Sequence, residues 1–213
     1  MARNFLVFKT LEKLNCPSPI LDFGAGTGVT LEYLSKKDLQ VFGIEPSHTG
    51  GTEKIKKDIS DLTDENLSHF KTLLLLDVIE HLEFPENEIR KILDFCPNIK
   101  YVVITVPACQ VLWSEYDVYY GHKLRYSPSQ LQNIAKVLNC EIVEIRYLFL
   151  TLYLAARVLQ ILGLKRNVEL HAPKSFFARI FHQIAAAILI AESMLPGRCC
   201  KGTSLIATLR RTA

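Results

Sequence analysis

Ile20-Leu21-Asp22-Phe23-Gly24-Ala25-Gly26-Thr27-Gly28 is the stretch on which the reading of this chain turns. A short apolar run enters a turn with glycine at every second position, and Val29-Thr30-Leu31-Glu32-Tyr33-Leu34 leaves it with helical spacing. Glycines there strip side chains from the turn and permit backbone angles that other residues resist. The free amides at the start of the following helix then face whatever lies above the sheet edge. The unit is a strand, a backbone cradle and a helix, and its neighbours decide which ligand it holds.

Spacing and charge narrow the choice. A dinucleotide fingerprint needs a glycine three residues after its second, for close helix–strand packing, and Val29 stands there. A triphosphate would need a cation in the loop, which has no lysine or arginine. Three carboxylates flank the cradle instead. Asp22 precedes it and suits a cationic amino group. Glu45 follows the apolar run 40–44, where an acidic residue accepts hydrogen bonds from ribose hydroxyls. Asp77 ends the run Leu73-Leu74-Leu75-Leu76, the pattern of a central parallel strand. The ligand implied carries a ribose and a positive charge, and no phosphate.

Working outward, strand patterns at 19–23, 40–44, 54–57, 73–76, 100–106, 140–148 and 203–210 alternate with helical ones. The helices are expected at 3–15, 29–37, weakly at 61–70, at 87–95, and after Ser127-Pro128-Ser129-Gln130, a serine cap with proline in the first turn. Such alternation predicts an α/β fold with a Rossmann-like, mostly parallel sheet and helices on both faces. With 213 residues, a single domain spanning 1–213 is expected. The chain is 49% hydrophobic and 22% charged, with a mean hydropathy of +0.15, a globular composition that excludes disorder.

Two motifs in order now identify a resemblance. Leu21–Gly28 resembles motif I of class I S-adenosylmethionine-dependent methyltransferases, and Leu76-Asp77-Val78-Ile79-Glu80-His81-Leu82 resembles a downstream segment of the same family. The match is of the methyltransferase type 11/12-like kind, in a bacterial-type branch, over about residues 15–148 plus the closing strand. It implies a seven-stranded sheet whose last strand is antiparallel and inserted beside the fifth. It implies S-adenosyl-L-methionine as cofactor, with Gly24, Ala25, Gly26 and Gly28 lining the methionine side and Asp22 near its amino group. By the same resemblance Glu45 binds the ribose, Asp58 and Ile59 flank the adenine, and Asp77 and Val78 close the pocket below the sulfonium. Asp61 is the alternative to Asp58.

The loop after the fifth strand carries the only tryptophan and four tyrosines, and loops at strand carboxyl ends hold sites in open α/β sheets. It resembles the Trp-Ser…Asp…Gly-His…Arg-Tyr segment of that branch, although Leu124 stands where a charged residue is common. Trp113, Asp117, Arg125 and Tyr126 are the acceptor-binding candidates. His122 is either a general base on a hydroxyl acceptor or a structural histidine paired with Asp117. Glu80 and His81 read as ordering the loop after the fourth strand. As a metal pair they lack a third ligand at helical spacing, and no cysteine or histidine cluster suggests zinc, so no metal is expected.

Charge is divided along the chain. Residues 1–150 hold 16 Lys/Arg against 20 Asp/Glu, and residues 151–213 hold 9 against 2, within a net charge of +3. The excess is too small to imply nucleic acid. Segment 151–195 reads as an apolar helical insertion before the last strand, which either covers the sheet or lies in a membrane interface. The N-terminus lacks a secretory pattern, so a cytoplasmic location with peripheral membrane contact as the alternative is expected. The implied activity is methyl transfer to a small-molecule or lipid-linked acceptor. Absence of an Asn-Pro-Pro-Tyr-type tetrapeptide tilts it toward O- over N-methylation. The other reading is a cofactor-binding pseudoenzyme attached to a membrane or partner.

Overall fold

The computed structural model describes residues 2–47, 54–62, 64–164, 176–194 and 201–212. Seven strands form one sheet: β1 (Ile20–Phe23), β2 (Val41–Ile44), β3 (Ile55–Lys56), β4 (Thr72–Leu76), β5 (Tyr101–Pro107), β6 (Cys140–Leu148) and β7 (Ser204–Arg211). Their order is β3-β2-β1-β4-β5-β7-β6. Strands β1 to β5 run parallel, and β7 lies antiparallel between β5 and β6. All five residues of β4 are buried, because both faces of this central strand are covered; an unbroken leucine run is what that position requires.

Helices cover both faces. On one side α1 (Ala2–Lys13) and α2 (Val29–Ser35) pack Leu6, Val7, Leu11, Leu31 and Leu34 against Ile20, Val41, Leu74 and Val103. On the other, α3 (Asp64–His69), α4 (Pro85–Phe95) and α6 (Pro128–Val137) bring Leu67, Ile89, Leu93 and Leu131 to Leu21, Leu73, Leu75 and Val102. Adjacent β-residues thus feed opposite cores, as the two-residue period of a strand demands. Helix α6 starts as expected: Ser127 and Gln130 form a reciprocal capping box with Pro128 behind the cap.

Several boundaries differ from those read in the sequence. In place of one helix over 61–70 there are a 3₁₀ turn at Ile59–Asp61, started by the Asp58 cap, and the short α3. Helix α4 begins two residues sooner, with Pro85 in its first turn. The aromatic loop contains a helix, α5 (Glu115–Tyr119), where Asp117 Oδ2 accepts from the Ser114 backbone N–H at 3.0 Å. That start signal was present in Ser114-Glu115-Tyr116-Asp117, but the five residues are too few for a helical period to show.

Between β6 and β7 stand α7 (Leu150–Ile161) and α8 (Phe176–Met194). Helix α8 packs against α1 and α7, and α7 packs near the 3₁₀ turn Gln110–Leu112; no residue of α7 is fully buried. Gln183 of α8 is exposed; Ser175 and the side chains of Arg179, His182 and Ser193, which would share a polar stripe with it at helical spacing, lie outside the described residues. Among the described residues, no helix is long and apolar enough to cross a membrane.

Candidate active site

The strand order reverses direction between β1 and β4, and a ligand crevice opens there beyond their carboxyl ends. Both marker segments leave from that point. After β1, the amide N–H groups of Gly24 and Ala25 donate to the Ile44 carbonyl oxygen at 2.8 and 3.0 Å, which ties the loop to β2. Gly24, Gly26 and Gly28 all have positive φ, at 84°, 54° and 79°. A β-carbon at Gly24 would lie 2.4 Å from Val78 Cγ2, so the loops after β1 and β4 touch at a point where only glycine fits. At Gly26 a β-carbon would meet nothing within 4 Å: this is the open floor of the cradle.

The three carboxylates differ in state. Asp22 is fully buried, and its Oδ1 has no hydrogen-bond partner among the described residues. Burial pushes its pKa up to about 7; the Glu45 charge adds to this and Arg3 opposes it. Glu45 stands at the end of β2, where it accepts from the Gly26 N–H at 2.9 Å and the Ser47 hydroxyl at 2.7 Å. Asp77, with φ +56°, is ion-paired with Arg3 of α1 and accepts from the Thr105 hydroxyl at 3.0 Å. Asp58 is exposed, its carboxylate accepting from the Ser60 N–H and hydroxyl, which hold its pKa below the ordinary range. Ile59 is half-buried against the core, and Asp61 returns a bond to the Asp58 N–H at 3.0 Å.

S-adenosyl-L-methionine fits these residues. An orphaned buried carboxylate oxygen on Asp22 is satisfied by a cationic amino group. The side-chain-free floor at Gly26 admits a ligand against the backbone, and Glu45 beside it can accept from ribose hydroxyls.

Next to the cradle lies a cavity of about 750 Å3 that starts at Asp77. Its polar end is formed by Glu80, His81, Ser114, Tyr116, Tyr120, His122 and Arg125; an apolar wall of Phe149, Leu152, Ala155, Ala156 and Leu159 also lines it, together with the polar Gln160, Thr203 and Ser204. The wall belongs to α7 and its lead-in, at positions one and two helical turns apart, so the insertion closes the cavity. The polar end is organised by Asp117, which is buried. Its Oδ1 accepts from Arg125 Nε at 2.9 Å and lies 2.9 Å from His122 Nδ1. Arg125 also donates to the Ala108 carbonyl at 3.3 Å. Glu80 is completely buried, and neither carboxylate oxygen bonds to another described residue. Burial first, and the Asp77 charge second, raise its pKa to about 8.

Of the acceptor candidates, Asp117, Arg125 and His122 meet at this end. Trp113 and Tyr126 do not line the cavity. Tyr126 is buried and donates its hydroxyl to the Ile79 carbonyl at 3.1 Å, pinning the two loops together; Trp113 ends the preceding 3₁₀ turn. Sequence reasoning missed Tyr116, Tyr120 and the α7 wall. The tyrosines were visible only as loop aromatics, and nothing local distinguishes α7's cavity face from its outer face, since both are apolar. The third histidine-or-carboxylate partner that Glu80 and His81 lack in sequence is supplied in space by His122.

A family model described as a methyltransferase domain matches residues 3–145. No curated protein matches the chain. Among solved structures, an S-adenosylmethionine-dependent methyltransferase from Archaeoglobus fulgidus superposes with a TM-score of 0.54 at 16% identity, covering 98% of this chain and 94% of that one. The magnesium protoporphyrin IX methyltransferase of Synechocystis PCC 6803, with bound S-adenosylhomocysteine, gives 0.54 at 11% identity, over 99% and 84%. Phosphoethanolamine N-methyltransferase 2 of Haemonchus contortus, in complex with S-adenosyl-L-methionine, gives 0.58 at 16% identity, over 99% of this chain and 52% of that one. With the matched region running from α1 through the cradle to β6, the chain belongs to the methyltransferase-domain family and is a class I S-adenosylmethionine-dependent methyltransferase.

Proposed function

We propose that the enzyme methylates a hydroxyl oxygen on an acceptor with an apolar body, a lipid-like or lipid-linked small molecule. The observation that carries this is the mixed lining of the cavity: His122, Tyr116 and Ser114 contribute hydrogen-bonding groups, and Leu152, Ala156 and Leu159 of α7 contribute apolar surface. An acceptor oxygen is recognised at the first and its hydrocarbon is desolvated by the second. When bound, S-adenosyl-L-methionine supplies an electrophilic methyl group on a positively charged sulfur. The chain's own work is alignment: the Gly24–Val78 contact and Asp22 fix the cofactor cradle, and the polar end holds the acceptor beside it. Asp117 orients His122 by its Nδ1, leaving Nε2 as the ring nitrogen able to take the hydroxyl proton. Arg125, already paired with Asp117, fixes that carboxylate more than it clamps an anion.

Exposed apolar residues on the outer side of α7, Leu154, Val158, Ile161 and Leu162, favour delivery of such an acceptor from a lipid surface. The test is transfer of labelled methyl from the cofactor to a panel of phenols and alcohols with and without a prenyl or alkyl tail, alongside matched amines. Tailed hydroxyl compounds are expected to be methylated with kcat/KM at least tenfold above their tailless forms. Preference for amines, or indifference to the tail, would refute the reading. S-adenosylhomocysteine binding with no turnover on any of them would favour a pseudoenzyme.

A further inference from the structure

Glu80, His81 and His122 come from two different loops, yet one ligand atom of each falls within 4.8 Å of the others. Three features set this cluster apart from a chance gathering of polar groups. Glu80 is fully buried with both oxygens lacking a partner among the described residues, an arrangement that costs free energy unless a cation compensates it. His122 has its Nδ1 beside Asp117 Oδ1 at 2.9 Å. His81 has its Nδ1 3.3 Å from the Gly121 carbonyl oxygen. With each Nδ1 beside an oxygen that can only accept, Nδ1 carries the proton and Nε2 keeps the lone pair that a cation needs. Carboxylate or carbonyl behind a histidine is the arrangement that orients imidazoles on a metal ion. The two rings are also close, with centroids 5.0 Å apart.

We propose that Glu80, His81 and His122 form a divalent metal site in the polar end of the cavity, taking a first-row transition ion such as Zn2+ or Mn2+. The donor set, two imidazole nitrogens and one carboxylate, selects such ions over Ca2+. Bonds of about 2.1 Å to a common ion place ligand atoms roughly 3–3.5 Å apart, so the cluster contracts slightly on binding. Three protein ligands leave coordination positions open, and all three residues line the cavity, so those positions face the acceptor space. There the ion anchors an acceptor oxygen and lowers the pKa of its hydroxyl, whose proton leaves to solvent; with the ion bound, this replaces the base role that His122 Nε2 has in the metal-free chain. Metal binding itself stands apart from the hydroxyl reading; only this last role rests on it.

The experiment uses the full chain, stripped with a chelator and titrated without any acceptor: Zn2+ by calorimetry and Mn2+ by electron paramagnetic resonance. One ion per chain is expected, with a rise in melting temperature. Glu80→Gln, His81→Asn and His122→Asn should each weaken binding at least tenfold while still binding S-adenosylhomocysteine, which shows that they fold. No stoichiometric binding at up to millimolar ion, or binding unchanged in Glu80→Gln or His122→Asn, would overturn the site. A metal-binding chain that fails to methylate hydroxyls would refute the proposed function and leave the metal site standing.

Discussion

Gly24 and Gly26 look alike in the sequence, and the fold gives them different work. At Gly24 a methyl group would collide with Val78, the residue after Asp77, and the φ of 84° adds strain. At Gly26 the space is open to 4 Å and only the left-handed backbone, costing about 1 kcal/mol for a non-glycine residue, opposes substitution. Gly24→Ala should therefore lower the melting temperature by several degrees and abolish cofactor binding with it. Gly26→Ala should stay folded and weaken S-adenosylhomocysteine at least tenfold, because its methyl group occupies ligand space. Calorimetric titration together with thermal melts of both variants separates the two effects. Unchanged S-adenosylhomocysteine affinity in a folded Gly26→Ala would show that the floor of the cradle is not where the ligand lies.

Among the elements, α7 has two apolar faces with different neighbours. Leu152, Ala155, Ala156 and Leu159 line the cavity, and all but Ala156 are also solvent-exposed; Leu154, Val158 and Ile161 are exposed and do not line it. Ala156 is half-buried, and enlarging it fills acceptor space without reaching the cradle on the far side of Asp77. Ala156→Phe is expected to raise acceptor KM tenfold or more with S-adenosylhomocysteine affinity within twofold of the parent. Steady-state kinetics with a tailed acceptor and a separate binding titration check this. Loss of cofactor binding in the variant would mean that α7 supports the cradle, not the acceptor. The insertion was legible as two apolar helices, and its place over the cavity was not.

At the scale of the molecule, the sheet's reversal between β1 and β4 buries a carboxylate at its centre. Asp22 has a folded-state pKa of about 7, above the ordinary aspartate value. The native chain therefore keeps a proton that the unfolded chain has released. Its contribution to stability is complete below about pH 4 and lost as pH rises through about 7, an effect of about 4 kcal/mol across roughly three pH units. Urea midpoints for the parent and Asp22→Asn should diverge over that window: the parent loses ground from pH 5 to pH 8 relative to the variant. Saturating cofactor should cancel the parent's loss, since a cationic amino group favours the ionised carboxylate. Parallel pH profiles for the two proteins would place the titration elsewhere.

By itself the sequence determined the sheet's strands, the cradle and the methyltransferase family, because each rests on local chemistry. Alternating apolar runs pick out strands, glycine spacing excludes a dinucleotide, and Asp22, Glu45 and Asp77 sit at strand ends wherever those strands fall. The acceptor end was legible only as an inventory of polar and aromatic residues. Tertiary structure decided which of them meet. It turned Tyr126 and Trp113 away from the cavity, locked Arg125 onto Asp117, and carried His122 to Glu80 and His81. It also placed α7 as the apolar wall. The physical reason is that such a site is built from side chains far apart in the chain, and their separation in space is set by how the loops after β4 and β5 pack, which no local period encodes.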